Sequence, residues 1–319
     1  MVDPGLAQAS ERLFWIALAV YATAMLAYFA AAAYRGPRAA RGGTVLAWSG
    51  LLVHAASVIT RGFAADRVPW GNMFEYSSMI GLFLVAWYLL FIERRMGLGQ
   101  LGGFAMAGGV LWLGAARATF APAGNLVPAL DSMWLKIHVL AAIIGSSLFA
   151  MSFIFTVLGL VRMRAERRVA PFGGSTVGAA YVGPPPVLDR EGPVSDLDEE
   201  EPEQDREPRG VGGRLPSAAR LDTLAHRTVQ FAFPLWTFAV IAGAIWAHEA
   251  WGRYWGWDPK ETWAFITWVA YAGYLHARAT AGWRGTRAAV LNIAAFGVLL
   301  FTYFAVNLLI SGLHSYAGV

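Results

Sequence analysis

The sequence contains no cysteine and few charged residues. Without cysteine the chain has no thiol nucleophile, no thiolate ligand for an iron centre, no set of ligands for an iron–sulfur cluster and no dithiol pair for redox relay. Only 14% of the 319 residues are charged, whereas 57% are hydrophobic. This balance excludes an ordinary soluble domain and indicates an integral membrane protein.

Long apolar runs predict an all-α fold, a polytopic membrane bundle of about eight transmembrane helices. Each run is close to the ~20 residues that cross a bilayer, although the second is short. The predicted spans are 13–34, 44–60, 73–92, 98–116, 134–161, 228–247, 263–281 and 288–311. The first run is long enough to span, so we expect a retained helix rather than a cleaved signal peptide.

Arginines concentrate in the loops after the first, third, fifth and seventh spans, and they predict the orientation. The positive-inside rule places these loops in the cytoplasm and both termini outside. The net charge of +4 mainly reflects these arginines, and no feature indicates nucleic-acid binding. The arginines are Arg35, Arg38, Arg41, Arg94, Arg95, Arg162, Arg164, Arg167, Arg168, Arg278, Arg284 and Arg287.

Residues 170–222 interrupt the apolar pattern with a stretch rich in proline, glycine and acidic residues. Such a composition cannot bury enough surface to offset its ordering entropy, so it predicts a disordered cytoplasmic loop. The loop divides a first part, 1–169, with five spans from a last part, 223–319, with three.

The segment 251–263, WGRYWGWDPKETW, carries four tryptophans, and the predicted external region 246–263 contains it. Asp258, Pro259 and Glu261 form a helix start with a capping box, which gives Asp258 a structural explanation. Trp251 and Trp255 would share a face if the segment were helical.

Two interpretations of the tryptophans are open. An interfacial aromatic belt is one, since tryptophan favours the headgroup region. A platform for a large planar ligand such as haem is the other, and it is favoured because six of the fourteen tryptophans fall in 246–268. Arg253 or Lys260 could then bind the haem carboxylates. The candidate platform residues are Trp251, Trp255, Trp257, Asp258, Trp263 and Arg253.

Two of the six histidines are candidates for axial ligands at this face. His138 lies about one turn inside the predicted outer end of the fifth span, and His314 follows the eighth. Neutral imidazole is a common ligand of haem iron. We therefore predict that His138 and His314 hold the iron above the tryptophans, with a buried packing histidine as the alternative for each.

The remaining histidines are weaker candidates. His276, inside the seventh predicted span, lies ~20 Å below the outer site and could bind a second haem. His54 and His276 lie at depths in the membrane that differ too much for both to bind one iron comfortably. We therefore expect the second ligand of the His276 haem on another polypeptide. A packing role is the alternative for His54, an interfacial role for His248, and a solvated helix end for His226. Trp70 and Glu75, in a second external patch, could border the same cavity, with Asn72 and Glu75 capping a helix as the alternative.

The segment WGRYWGWDPKETW resembles the tryptophan-rich WWD signature of haem-handling membrane proteins. Its DPKETW ending resembles the CcsA/ResC branch, called CcsB in some bacteria, of the system II cytochrome c synthase. The resemblance covers nearly the whole chain and includes WGNMFEYSSM at 70–79, AIWAHEAWG at 244–252, YLHAR at 274–278 and GLHSY at 312–316. The sequence departs from the pattern at His248, where asparagine is more usual, and in its long acidic insert.

This resemblance implies a function. Haem b, both substrate and bound cofactor, would be held by His138 and His314 as the catalytic pair, and a second haem by His276 with a ResB-type partner subunit. The thiols of the Cys-x-x-Cys-His motif in an apocytochrome c would add to the haem vinyl groups. The implied location is the bacterial plasma membrane, with the haem site on the external face. Two other functions stay open: a haem exporter that delivers to a chaperone, and a b-type cytochrome in quinone-linked electron transfer.

Overall fold

The computed structural model describes residues 2–34, 36–124, 130–169, 211–310 and 312, and these form a bundle of eight long helices without a β-strand. This confirms the predicted all-α membrane bundle. The helices are α1 Pro4–Tyr34, α2 Pro37–Ala65, α3 Met73–Trp87, α4 Gly102–Ala118, α5 Met133–Val169, α6 Ala218–Trp251, α7 Pro259–Ala279 and α8 Thr286–Leu300.

Short elements extend three of these helices. A π-helical turn, Tyr88–Glu93, continues α3, and a 3₁₀ turn, Gly99–Leu101, leads into α4. A second π-helical turn, Phe301–Ala305, continues α8 and is followed by one α-helical turn, Val306–Leu309. Single π turns inside helices are rare and occur frequently at functional sites.

Within the described ranges, seven of the eight long helices are long and apolar enough to cross a membrane, and α7 is the exception. The prediction of eight spans therefore differs at α7. With 21 residues α7 is about 30 Å long, enough to span, but Lys260, Glu261, His276 and Arg278 lower its hydropathy. Neighbouring helices bind its polar groups, as when Trp268 Nε1 donates to Thr237 Oγ1 at 2.9 Å.

The second predicted span, 44–60, is the middle of a much longer helix. Helix α2 begins at Pro37, where proline occupies the first turn, and ends at Ala65, where Asp66 adopts φ 50°. Proline is favoured at that first position because its missing N–H would have no intrahelical partner. The apolar run was short because Arg38, Arg41 and Arg61 flank it within the same helix.

The helices pair antiparallel. The N–H of Asp3 before α1 donates to the carbonyl of Ala64 at the end of α2, at 2.9 Å. Helix α5 runs against α6, since Ser152 Oγ donates to the carbonyl of Ala225 at 2.9 Å. Glycines permit close approach, and a Cβ on Gly50 would lie 2.7 Å from the ring of Tyr21. Small residues of this kind are typical of helix packing in membranes.

Ion pairs stabilise the end of the bundle that lies away from the tryptophan segment 251–263. Arg278 in α7 binds Asp222 in α6 through both carboxylate oxygens, at 2.9 and 2.7 Å. Most of the predicted disordered loop 170–222 lies outside the described residues. Its last part is helical, with a turn at Val211–Arg214 and α6 starting at Ala218, where the Oγ of Ser217 accepts from the N–H of Arg220.

Candidate functional site

A cavity of about 230 Å³ opens between α3, α5, α6, α7 and α8 at the end of the bundle that carries the tryptophan segment. Its lining is mostly apolar, with a few polar groups from several helices. An apolar pocket with convergent polar groups is the usual form of a small-molecule site. Its lining includes the following residues from the sequence features described above: Trp70, His138, Trp246, Trp255, Lys260 and Glu261.

His138 enters this cavity from α5 with one ring nitrogen already bound. Its Nδ1 lies 2.7 Å from the carbonyl oxygen of Ala239 in α6 and donates to it. The ring fits because residue 243 is glycine, and a Cβ there would lie 2.8 Å from Nδ1. Nε2 has no hydrogen-bond partner among the described residues, so its lone pair is free to bind a metal. Histidine ligands are commonly oriented by such a second hydrogen bond.

The tryptophan segment is a loop between two helices. Helix α6 ends at Trp251 because Gly252 adopts φ 72° and its N–H bonds the carbonyl of His248 at 2.8 Å. Helix α7 then begins with the predicted capping box, in which Asp258 Oδ1 accepts from Lys260 N at 3.0 Å and Glu261 Oε2 accepts from Asp258 N at 3.1 Å. Trp251 and Trp255 therefore do not share a helical face.

The tryptophans separate into groups with different surroundings. Trp255 and Trp246 line the cavity, and Trp251 packs on Trp246 with ring centroids 4.8 Å apart. Trp263 packs instead against Phe301, in the π-helical turn that continues α8, with ring centroids 4.2 Å apart. Trp257 is 70% exposed and has φ 58°, an unusual backbone conformation for a bulky residue. The cavity wall is thus made by two of these indoles rather than by all of them.

The two candidate cations also differ. Arg253 is exposed and folds over Gly256, where an added Cβ would overlap its guanidinium, and it does not line the cavity. Lys260 lines the cavity, and its Nζ makes no hydrogen bond or ion pair within the described part of the chain. Burial lowers the pKa of Lys260 to about 8, against the attraction of the Asp258 carboxylate. Lys260 is the better placed of the two for an anionic ligand.

Glu75 anchors the loops beside the cavity instead of lining it. Its buried carboxylate accepts from Arg61 Nε at 2.7 Å, from Arg67 Nη1 at 2.7 Å and from the N–H of Gly71 at 2.7 Å. The predicted cap is present too, since Asn72 Oδ1 accepts from Glu75 N at 2.9 Å. This network holds Trp70 against the cavity, where its Nε1 is buried and has no hydrogen-bond partner in the part of the chain that the structure describes.

His54 and His248 both lie outside the cavity lining. His54 is fully buried, with Nδ1 3.3 Å from the hydroxyl of Tyr21 and Nε2 2.9 Å from Ser78 Oγ. His248 is exposed and stacks on Tyr254 with ring centroids 4.3 Å apart. The two nitrogens of His54 are thus occupied by protein groups, and a ligand role for either histidine stays a prediction.

The other two candidate ligands lie in different parts of the chain. His276 is exposed in the last turn of α7, two residues before the ion-paired Arg278, so it is far from the cavity. His314 lies outside the described residues. Gly312, which is described, is close to the start of α7, where a Cβ on Gly312 would be 2.7 Å from Asp258 Oδ2. Both ligand assignments stay predictions.

The sequence matches the family model of the cytochrome c assembly protein over residues 13–314. The chain belongs to this family. Curated relatives named cytochrome c biogenesis protein CcsA agree with this assignment and confirm the resemblance. The protein of Synechococcus sp. (strain JA-3-3Ab) is 37% identical, over 98% of this chain and 96% of that protein. The protein of Porphyra purpurea is 35% identical, over 92% of this chain and 93% of that protein.

A solved structure named cytochrome c haem lyase CcmF has the same fold. Its TM-score is 0.63 at 16% sequence identity, and the match covers 95% of this chain. The chain spans about half of that protein, 47% of its length. At this identity the likeness concerns the fold alone. Family membership and the apolar helices together make this cytochrome c assembly protein a multi-pass membrane protein with a role in cytochrome c maturation.

Several cavity-lining residues of this cytochrome c assembly protein were not predicted as site residues, among them Tyr76, Tyr303 and Asn307. Tyr76 and Tyr303 stack with ring centroids 5.1 Å apart, and Asn307 Nδ2 donates to the carbonyl of Tyr303. Tyr303 belongs to the π-helical turn of α8, and Asn307 follows it. A polar asparagine in an apolar span was the available signal, because intramembrane polar residues are functional by default.

Proposed function

We propose that this protein is the membrane subunit of a system II cytochrome c synthase. In this function it holds haem b in the cavity beside the WWD-like segment and promotes thioether attachment to the Cys-x-x-Cys-His motif of an apocytochrome c. The observation that carries the proposal is His138, which lines an apolar cavity walled by indoles. One of its ring nitrogens is fixed by a backbone carbonyl, and the other has no partner among the described residues.

The state of His138 suits iron ligation. Donation from Nδ1 to Ala239 leaves Nε2 as the unprotonated nitrogen, which is the form that binds a metal. The bond also fixes the orientation of the ring and makes the imidazole a stronger ligand. A packing histidine would be expected to use both nitrogens, as His54 does.

We assign the second axial position to His314. The main support is the position of Gly312 beside Asp258, because His314 follows only two residues later in the sequence. Two residues of extended chain reach about 7 Å, and this short reach supports the assignment. The family pattern GLHSY at 312–316 carries the same expectation.

The other cavity groups suit the shape of haem. Trp246 and Trp255 provide flat apolar surface for the macrocycle, and aromatic side chains stack well on planar rings. Lys260 provides a charged group for a propionate, and the apolar lining limits access of water. We propose Lys260 for this role in preference to Arg253, whose guanidinium is held against Gly256.

In the proposed reaction the protein supplies orientation rather than a nucleophile. The histidine of the apocytochrome motif would replace one of the two histidine ligands that this chain supplies to the iron. The two cysteine thiols of the same motif would then lie close to the haem vinyl groups. Each thiol adds across a vinyl double bond, forming a carbon–sulfur bond without net oxidation. Fixing both partners in one geometry can lower the barrier by several kcal/mol. The absence of cysteine fits this role, since no thiol of the chain competes with the substrate.

We propose that His276 binds haem together with a ligand from a ResB-type partner subunit. Its exposure on the outer face of α7 supports this, since a second polypeptide could reach it there. We also propose that the cavity lies on the external side of the bacterial plasma membrane. The arginines of the opposite loops carry that assignment.

The test is reconstitution in cells that lack their own maturation pathway. The full chain is expressed with a ResB-type partner and an apocytochrome c, and covalent haem is measured by staining after denaturing electrophoresis. The proposal expects covalent product in the absence of any added haem chaperone, and loss of that product in His138→Ala.

Two outcomes would contradict the proposal. Product that forms only when a separate chaperone is added would identify a haem exporter. Stable haem with quinone-dependent redox activity and no covalent product would identify a b-type cytochrome.

A further inference from the structure

Glu261 has a carboxylate whose two oxygens are in very different situations. Oε2 is held by two backbone N–H groups, from Gly256 at 2.8 Å and from Asp258 at 3.1 Å. Oε1 is buried and has no hydrogen-bond partner among the described residues. The anchored oxygen fixes the plane of the carboxylate, so the position of the other oxygen is fixed as well.

Glu261, the residue that carries this oxygen, belongs to the same cavity as His138. Glu261 lines that cavity together with Lys260 and Trp70. Buried polar atoms are satisfied in most proteins, and leaving one unpaired costs roughly 1–3 kcal/mol. Two such atoms, Glu261 Oε1 and Trp70 Nε1, belong to residues that line this one cavity. Unpaired acceptors and donors at a cavity indicate groups that are completed by a ligand or a reacting molecule.

Helix capping does not explain the free oxygen. A capping box needs one side-chain oxygen at the third helical position, and glutamine supplies it as well as glutamate does. Here Oε2 alone fulfils that role. The second oxygen of the carboxylate is therefore available for another purpose.

We propose that Glu261 Oε1 is the proton acceptor for a cysteine thiol that adds to haem in this cavity. This inference rests on the proposed synthase function. Thioether formation requires that a thiol lose its proton, since the thiolate is the nucleophile. A fixed carboxylate in an apolar cavity is a suitable general base for that step.

The proposed step is balanced without an oxidant or a reductant. The S–H bond breaks and its proton moves to Glu261 Oε1, while the sulfur electron pair forms a bond to the inner carbon of the vinyl group. The vinyl π pair takes a proton at the terminal carbon, and the Glu261 carboxyl group supplies it. The carboxylate is regenerated, and the net change is addition of the thiol across the double bond.

The experiment compares Glu261→Gln with the unmodified protein in the full complex with its ResB-type partner. Glutamine keeps an oxygen for the backbone N–H groups but cannot accept the proton. Haem loading is measured by absorbance, and covalent attachment to a synthetic Cys-x-x-Cys-His peptide is measured by mass spectrometry. We expect normal haem loading and attachment about 100-fold slower at pH 7.

Two further readouts distinguish proton transfer from a structural role. At pH 9.5, above the thiol pKa of ~8.5, solution thiolate makes the base unnecessary, so the deficit of Glu261→Gln should shrink to about tenfold or less. Without haem, alkylation of the bound peptide thiol at pH 7 should be faster with the unmodified protein than with the variant. Glu249→Gln is the matched control, because this exposed carboxylate at the same end binds Ser132 Oγ at 2.6 Å and does not line the cavity.

Attachment by Glu261→Gln at the unmodified rate would overturn the proposal and leave the synthase function intact. Loss of haem loading in Glu261→Gln would also overturn it, since Glu261 would then serve haem binding. If the unmodified protein forms no covalent product, the synthase function itself fails, and this inference fails with it.

Discussion

His54 and His138 are two histidines of the same bundle with opposite environments. His54 is fully buried, and both its nitrogens meet protein groups, Tyr21 and Ser78. His138 gives one nitrogen to the Ala239 carbonyl and presents the other to a cavity. Hydropathy alone would place both in the category of intramembrane ionisable residues. The number of occupied ring nitrogens separates a packing residue from a candidate ligand.

The first prediction concerns His138 and has the largest expected effect. His138→Ala removes the proposed ligand, so haem affinity at the cavity should fall by more than about 100-fold. The measurement is haem absorbance per protein during titration of the purified complex. It is made in a His276→Ala background, so that the second proposed haem does not contribute. If His138→Ala binds haem as tightly as the unmodified protein, His138 is no better a candidate ligand than His54.

The second prediction concerns the glycine that makes room for the His138 ring. Gly243→Ala places a methyl group 2.8 Å from the position of Nδ1, which should displace the ring and disturb its bond to Ala239. Loss of such a supporting contact typically costs 10- to 100-fold in metal affinity, and we expect about tenfold here. Gly273→Ala is the matched control, because a Cβ there meets nothing within 4 Å. Equal effects of both changes would mean that general helix packing is responsible.

The third prediction is the pH dependence of haem affinity through Lys260. Its pKa is lowered to about 8, so the ammonium is mostly charged at pH 7 and mostly neutral at pH 9. Haem affinity should therefore fall by about fivefold over that range as the attraction for a propionate is lost. Lys260→Arg should flatten the dependence, since guanidinium stays charged. Haem dimethyl ester, which lacks the carboxylates, serves as the ligand control, and an equal pH dependence for it would exclude the propionate contact.

The fourth prediction has the smallest expected effect on haem. His54→Ala should leave haem affinity within about twofold of the unmodified protein, because the ring does not reach the cavity. It should lower the free energy of unfolding by about 2 kcal/mol, since Tyr21 and Ser78 lose a buried partner. Thermal denaturation of the complex measures the stability. A large loss of haem with unchanged stability would reverse the roles assigned to the two histidines.

Much of the fold could be predicted from the sequence because apolar runs and caps are local signals. The helix cap at Asn72 and the capping box at Asp258 were predicted from short motifs, and both form as expected. Helix α7 shows where hydropathy is a poor guide. Its polar residues bind neighbouring helices, and only the tertiary structure supplies those partners.

The candidate site was less predictable because it depends on contacts between distant segments. The sequence indicated His138 and the tryptophans but not which indoles face the cavity, since a glycine at φ 72° ends α6 and redirects the loop. Glu75 was expected near the cavity, and its clamp by Arg61 and Arg67 depends on how two loops fold back. Glu261 could be recognised as a cap, whereas its free oxygen is visible only in three dimensions.

The π-helical turn Phe301–Ala305 has a consequence for sequence changes in the last helix. Such a turn holds one residue more than an α-helical turn of the same rise, so it absorbs an extra residue without changing the orientation of the helix that follows. Deleting a single residue there should restore α-helical geometry and leave Asn307 at the cavity, whereas deleting one residue from the regular part of α8 would rotate Asn307 by about 100° around the helix axis. A one-residue gap in this turn, when related sequences are aligned, would therefore be compatible with an unchanged cavity.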